Sequence, residues 1–270
     1  MHDVLGTLLS HGSFVFAVVM LTVLVVAEDL GHRLGRWRAA RRAFQEQETS
    51  TIGAITAGML TLLAFALGIS VSVALDRFDA RREIVVEEAN AIGTAWLDAR
   101  AIGGAEGAQA AKLLETYARV RLAYTSLGQD PAAERALLAR TSALQSEIWG
   151  AITPLVRRSP TPVTATLMEA LTATFDAASA QRAAYANQVP EAVDWALIAA
   201  SILSIGALGF QVATGGRRQL ALALLLAVMW TGAMVLVTDL GEPRIGAILP
   251  NPAPLAWAIQ GFSGPAPPSQ

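Results

Sequence analysis

The amino-acid sequence predicts an all-α membrane protein with four transmembrane helices in two pairs and a helical-bundle insert between the second and third helices. Hydrophobic residues make up 53% of the chain and charged residues only 16%, whereas soluble domains carry about 25% charged residues. Four long apolar segments form two groups, and an alanine- and arginine-rich stretch separates the groups. The predicted domains are residues 1–75 (two transmembrane helices), 76–192 (extramembrane bundle), 193–238 (two transmembrane helices) and 239–270 (proline-rich tail).

Each apolar segment is long enough to cross a bilayer, which takes about 20 mainly apolar residues. The predicted spans are residues 4–27, 52–75, 193–212 and 220–237. Acidic and arginine residues follow the first span where a signal peptide would have a cleavage site of small residues, so we expect an uncleaved helix. The second span runs into charged residues with no glycine or proline at the junction, so it should continue as one helix beyond the membrane.

The placement of arginine predicts the orientation of a multi-pass membrane protein. Five arginines lie between the first two spans, and Arg217 and Arg218 lie between the last two. Because cytoplasmic loops are enriched in basic residues, both links are expected in the cytoplasm and the insert on the outer side. Arg77, Arg81 and Arg82 lie close to the end of the second span and favour the opposite orientation.

The insert is predicted to be an antiparallel bundle, because good helix formers dominate it and apolar residues recur at three- and four-residue steps. Gly103-Gly104 should end the long second helix. Asp130-Pro131 is an N-cap followed by proline at the first helical position. Further helices are predicted at about residues 106–127, 131–152 and 163–188.

Proline and tryptophan residues refine this prediction. Pro154, Pro160 and Pro162 are expected in a loop, and Trp96 is expected in the core of the bundle. Seven of the 12 prolines fall after Asp239. The tail therefore cannot be helical for long, and its apolar residues should lie along a protein or membrane surface.

Composition argues against enzymatic and nucleic-acid functions. The formal net charge is −2, the chain has no cysteine, and its three histidines (His2, His11 and His32) are too scattered for a metal site. Nucleic-acid binding requires a clustered basic surface, and no nucleophile or acid–base constellation is apparent. We therefore expect no catalytic residue, no cofactor and no nucleic-acid partner.

The second span has one face of small and hydroxyl residues with a single aromatic. At three- and four-residue steps it comprises Gly58, Thr61, Phe65, Gly68 and Ser72. The same face continues into acidic turns at Asp76, Asp79 and Glu83. Close packing of membrane helices is one interpretation, because small residues let helices approach. A pore wall is the other, with Phe65 as a hydrophobic constriction and the carboxylates at the mouth.

Charged and polar residues elsewhere on these helices have simpler predicted roles. Glu87 and Glu88 point about 100° apart on a helix, so a solvated face is expected there instead of a carboxylate pair. Asn90 and Gly93 are poor choices inside a helix and indicate a close contact or a side-chain hydrogen bond. Near the end of the first span, Asp29 with Arg33 and Glu28 with His32 have the spacing of helix-end ion pairs.

Three segments resemble the bacterial bestrophin-like membrane proteins: LLAFALG at 62–68, ALDRFDARR at 74–82 and EEANAIGT at 87–94. The third segment is the most specific. Its resemblance to the family implies that Glu88, Asn90 and Gly93 form a structural family motif. The two-plus-two layout extends the resemblance over most of residues 10–240. The link to true bestrophins is more distant and depends on the layout and on an aromatic-bearing second helix.

The resemblance implies a pentameric ion channel whose second helices surround the pore. Phe65 would then match a neck position, and the small residues around it would face the conduit. The chain departs from bestrophins in having one aromatic on this face, and in an arginine pattern that places the insert outside the cytoplasm. The expected function is an oligomeric ion channel in a lipid bilayer, with small ions and further copies of the chain as partners. The alternative is a membrane-anchored helical-bundle sensor or scaffold without catalytic activity.

Overall fold

The computed structural model describes residues 12–41, 44–187, 191–214, 220–244 and 248–262. Within these ranges the chain forms eight α-helices and no strand. It divides into two compact units, residues 1–77 with 188–248, and residues 78–187 with 249–270, which we call the membrane unit and the bundle. His2, His11, the start of the first predicted span and the Arg217-Arg218 link lie outside the described residues.

Four helices of the structure are long and apolar enough to cross a membrane. They are α1 (Ser13–Arg41), α2 (Glu46–Ile102), α6 (Glu191–Thr214) and α7 (Leu220–Gly241). The prediction that the second span continues without a break is confirmed, because α2 is one helix of 57 residues. In the membrane unit the apolar core is built from all four helices, with Met20, Leu63, Ile205 and Trp230 among its buried residues.

Glycine brings α1 and α6 into backbone contact. A Cβ atom added to Gly31 would lie 1.9 Å from the carbonyl oxygen of Gly206, and one added to Gly209 would lie 2.1 Å from the carbonyl oxygen of Glu28. Such distances leave room for glycine only, as is typical of closely packed membrane helices. The first and third spans thus pack together across the two predicted pairs. Within the second pair, the indole Nε1 of Trp230 donates to Ser201 Oγ at 2.9 Å.

The contact between α1 and α6 changes the environment of one of the two predicted ion pairs, Glu28 with His32. Arg33 Nε donates to Asp29 Oδ2 at 2.6 Å, as its spacing predicts, and both groups are at least partly exposed. Glu28 and His32, in contrast, are buried. They lie on the side of α1 that meets α6, since the carbonyl of Glu28 is the group closest to Gly209.

The bundle comprises α2 from Phe78 onward, α3 (Gly104–Thr125), α4 (Pro131–Arg158), α5 (Pro162–Ala186) and α8 (Ala253–Phe262). Gly103 and Gly104 both have φ +67°, the left-handed conformation that ends α2 where the sequence predicts. Asp130 Oδ1 accepts from the backbone N–H groups of Ala132 and Ala133, so the predicted N-cap is also present. Trp96 lies in the core, as expected.

Of the three prolines predicted to lie in a loop, only Pro160 does, because Pro162 is the first residue of α5 and Pro154 is also helical. Pro154 is inside α4, which continues to Arg158. Proline in a helix removes one backbone hydrogen bond, at a cost of about 3 kcal/mol. Packing compensates for this loss, because Ile152 is fully buried and Val156 packs against the same core.

The tail contains a helix that the sequence analysis did not identify. Residues Ala253–Phe262 form α8, and Asn251 Oδ1 accepts from the backbone N–H of Ala253 at its start. Leu255 of α8 is fully buried in the core of the bundle. The ring of Phe262 lies 5.0 Å from that of Trp96. The apolar residues of the tail, which were expected to lie along a protein or membrane surface, therefore pack against the bundle.

Candidate functional site

The small-residue face of α2 points away from the core of the membrane unit. Gly58, Thr61, Phe65, Gly68 and Ser72 are all exposed, and Phe65 retains 66% of its accessible surface. Buried residues of the same helix segment occupy the opposite side, with Leu63, Leu67 and Ala74 in the core. The sequence pattern therefore separates an inward apolar side from an outward face of small residues.

The glycines on this face are not used for packing within the chain. A Cβ atom added to Gly58 or Gly68 would meet no atom within 4 Å in the described structure. The two glycines contrast with Gly31 and Gly209, where the partner backbone fills the space. Thr61 Oγ1 donates to the carbonyl of Ala57 at 2.9 Å, so the hydroxyl is satisfied by its own helix and needs no partner from a neighbour.

The predicted mouth residues are exposed as well. Asp76 lies at the end of the membrane unit, and Asp79 and Glu83 lie on the part of α2 that belongs to the bundle. All three side chains are accessible to solvent. Carboxylates at this spacing place negative charge on one side of a helix, which attracts cations and repels anions.

The expectation of a close contact at Asn90 and Gly93 is not met within the described chain. Asn90 is exposed, and a Cβ atom added to Gly93 would meet nothing within 4 Å. At helical spacing both residues continue the outward face of α2. On this side of the bundle Asn90 is therefore exposed and Gly93 is half-buried.

Glu88 is the exception to the predicted solvated face. Glu87 is exposed, but Glu88 is fully buried, and so is Arg121 of α3. Arg121 Nε donates to Glu88 Oε1, and Arg121 Nη2 donates to Gln181 Oε1 of α5. Gln181 Nε2 in turn donates to Thr125 Oγ1 at 3.0 Å. We call these four residues the polar network.

The polar network joins three helices of the bundle at a position closed to water. The guanidinium of Arg121 also lies 4.6 Å from the ring centre of Tyr124, which stacks on Tyr185. A buried charge is costly unless it is paired and hydrogen-bonded. Glu88 and Gln181 meet that need for Arg121 and fix the register of α2 and α5 against α3.

The sequence contains a signal for the polar network, namely the position of Arg121 among the apolar residues of α3. Arg121 recurs with Leu114, Tyr117 and Tyr124 at three- and four-residue steps, on the apolar side of α3. A charged residue in such a series is buried with it and requires a partner of opposite charge.

Near the polar network, burial raises the pKa of Tyr117 to about 12. Its hydroxyl accepts a hydrogen bond from Gln145 Nε2 at 3.2 Å.

Comparison with known proteins identifies the family of the chain. The model of the bestrophin-like domain family matches residues 23–255, most of the chain. The chain belongs to the bestrophin-like family. At the level of the family, bestrophins are ion channels and not enzymes, and the bestrophin-like protein described here is a membrane protein.

Solved structures show the same fold for this bestrophin-like protein. A crystal structure of a bacterial bestrophin homologue from Klebsiella pneumoniae, carrying a single mutation, superposes with a TM-score of 0.69 at 16% identity. The match covers 91% of this chain and 95% of that one. A second structure of the Klebsiella homologue gives a TM-score of 0.69 at 17% identity, covering 93% and 99%. The comparison with curated proteins gave no match.

Proposed function

We propose that this bestrophin-like protein is a homo-oligomeric ion channel of the bacterial inner membrane, in which α2 of each subunit lines a shared pore. The observation that supports the proposal is the outward face of α2, where five residues of the predicted pore wall are exposed and not packed against the protomer. The pentamer implied by bestrophins is the proposed assembly.

The composition of the face favours water over lipid. Beside it, α2 also exposes a typical lipid-compatible surface, with Ile55, Leu62 and Ile69 among its residues. Glycine and hydroxyl residues are instead concentrated on the proposed pore side. Hydroxyls and exposed backbone tolerate water, whereas in hydrocarbon they gain nothing over aliphatic side chains.

Phe65 is proposed to form the narrowest part of the pore. It is the only aromatic on the face, so symmetry would place one ring per subunit at a single level. A hydrophobic constriction can stop conduction by expelling water, without a charged gate. The carboxylates of Asp76, Asp79 and Glu83 would surround the mouth and favour entry of cations.

Replacing Phe65 with alanine is expected to raise the single-channel conductance severalfold or to increase the open fraction. The smaller side chain would widen the constriction and let water remain in it. Purified protein in planar bilayers would show the change as larger or more frequent current steps. Leu62→Ala is the matched control, since Leu62 is 68% exposed one turn earlier but lies off the proposed pore face.

Oligomeric state separates the channel from the sensor or scaffold alternative. Native mass spectrometry of the solubilised protein should give a ring-forming oligomer. A monomer or dimer without current under any ionic condition would instead support the scaffold. Equal currents for the native protein, Phe65→Ala and Leu62→Ala would contradict a constriction at Phe65 even if the protein conducts.

A further inference from the structure

An apolar groove of about 540 Å³ opens on the membrane unit between α1, α2 and α6. Its rim is formed by exposed aliphatic residues, including Leu30, Leu34, Ile55 and Leu203. The groove has the size of ligand-binding clefts, which range over about 300–1,000 Å³. Its walls belong to helices that are apolar enough to span the membrane, so the natural occupant of the groove is hydrocarbon.

A second pocket of about 430 Å³ adjoins the groove, and we call it the polar pocket because charged, amide and hydroxyl side chains line it beside Phe44. Ile52 and Phe210 line both spaces, so the groove and the pocket lie side by side. The pocket is lined further by Arg38, Gln47 and Thr51, which offer a cation, an amide and a hydroxyl. The combined cleft is apolar at one end and polar at the other, the polarity of an amphiphile.

The polar end has the features of a membrane–water interface. Arg38 and Arg41 lie in the last turn of α1, and the guanidinium of Arg41 stacks 3.8 Å from the ring centre of the half-exposed Trp37. Tryptophan is enriched at the level of lipid headgroups. Basic residues near that level attract anionic lipids, by about 1 kcal/mol each.

One carboxylate also lines the polar pocket. Glu48 lies in the first turn of α2, where its Oε2 accepts from the backbone N–H of Gln45 at 3.2 Å. Through that hydrogen bond the carboxylate caps the start of its own helix. Arginine presents several N–H donors in a planar fork that suits phosphate, and Arg38 is exposed in the pocket.

We propose that the cleft binds one anionic glycerophospholipid, with an acyl chain in the apolar groove and the phosphate at Arg38. Charge complementarity at Arg38 and the adjacency of the two spaces favour this occupant. A free anion would leave the groove unfilled, and an apolar helix of a second copy would fill the groove without binding Arg38. The proposal is independent of conduction and holds for a channel or a scaffold.

Native mass spectrometry of protein purified in detergent and supplied with phosphatidylglycerol or phosphatidylcholine tests the proposal. We expect one phosphatidylglycerol per chain to survive at detergent concentrations that remove phosphatidylcholine. Arg38→Gln should reduce retention of phosphatidylglycerol severalfold and that of phosphatidylcholine less, because the choline cation already offsets the charge of the phosphate. Arg36→Gln is the matched control, because Arg36 is exposed on the same helix but does not line the pocket.

A second variant addresses the apolar groove separately. Ala207→Phe would fill the groove and should lower retention of both lipids, with a normal elution volume showing that the protein is folded. Unchanged phosphatidylglycerol retention in Arg38→Gln would overturn the phosphate assignment. Crosslinking of a second copy into the groove would overturn the lipid as its occupant.

Discussion

Replacing Arg121 with methionine is expected to destabilise the bundle by about 3–5 kcal/mol, the usual cost of removing one partner of a buried ion pair. Glu88 would keep its place in the core without a guanidinium. It would then have to remain charged there or take up a proton. Gln181 Oε1 would lose its donor at the same time, so α2 would lose its polar link to α3 and α5 would keep only the hydrogen bond from Gln181 to Thr125.

Thermal unfolding of the detergent-solubilised protein, followed by circular dichroism, measures this effect. Arg119→Met is the matched control. Arg119 lies on the same helix, is mostly exposed, and approaches Glu115 only to 3.9 Å. An exposed pair of this kind contributes about 0–1 kcal/mol. Equal losses of stability in the two variants would mean that the polar network does not hold the bundle together.

A double variant distinguishes pairing from packing. Replacing both Glu88 with leucine and Arg121 with methionine removes the buried charges together and keeps similar volumes. Buried ion pairs replaced in this way are often neutral or more stable. The double variant should therefore recover much of the stability that Arg121→Met loses. Additive losses would indicate that the two side chains contribute independently.

Substitution of Gly209 by leucine is expected to prevent correct packing of α1 against α6. Even alanine would place its Cβ atom 2.1 Å from the carbonyl oxygen of Glu28, which is backbone and cannot rotate away. Overpacking typically costs about 1–3 kcal/mol, occasionally more. We expect alanine to fall in that range and leucine to exceed it, because the helices would have to separate.

Gly232→Ala supplies the control for this prediction. Gly232 lies in α7, is exposed, and has open space where a Cβ atom would be added. In a helix, alanine is favoured over glycine by about 1 kcal/mol, so this variant should be as stable as the native protein or more so. Thermal unfolding and the fraction of monodisperse protein after size exclusion report both effects. A Gly209→Leu protein with native stability would contradict the close contact.

The local elements of this fold follow from local sequence. The end of α2 at Gly103, the N-cap at Asp130 and the continuous helix through Asp76 each depend on residues close together in the chain. Helical periodicity also places Phe65 on the face of small residues, although it leaves open whether that face packs against another helix or points outward.

Features that depend on distant partners could not be predicted in the same way. Gly31 and Gly209 are ordinary helix glycines until the backbone of the other helix is placed beside them. Glu88 resembles its exposed neighbour Glu87 until Arg121 is brought opposite. Pro154 remains helical only because residues on both sides of it are held by the core.

The position of α8 has a consequence for the path of the chain through the membrane. Residues 249–262 pack into the same body as residues 78–187, although α6 and α7 lie between them in the chain. The number of bilayer crossings made by α6 and α7 together must therefore be even, on whichever side the bundle resides.

Single cysteines can test this parity against a clean background, because the natural chain contains none. Ser159→Cys, at the end of α4, and Gln260→Cys, in α8, both place a thiol at an exposed position of the bundle. A membrane-impermeant maleimide added to intact cells should label both or neither. Labelling of one alone would require an odd number of crossings and would separate α8 from the bundle.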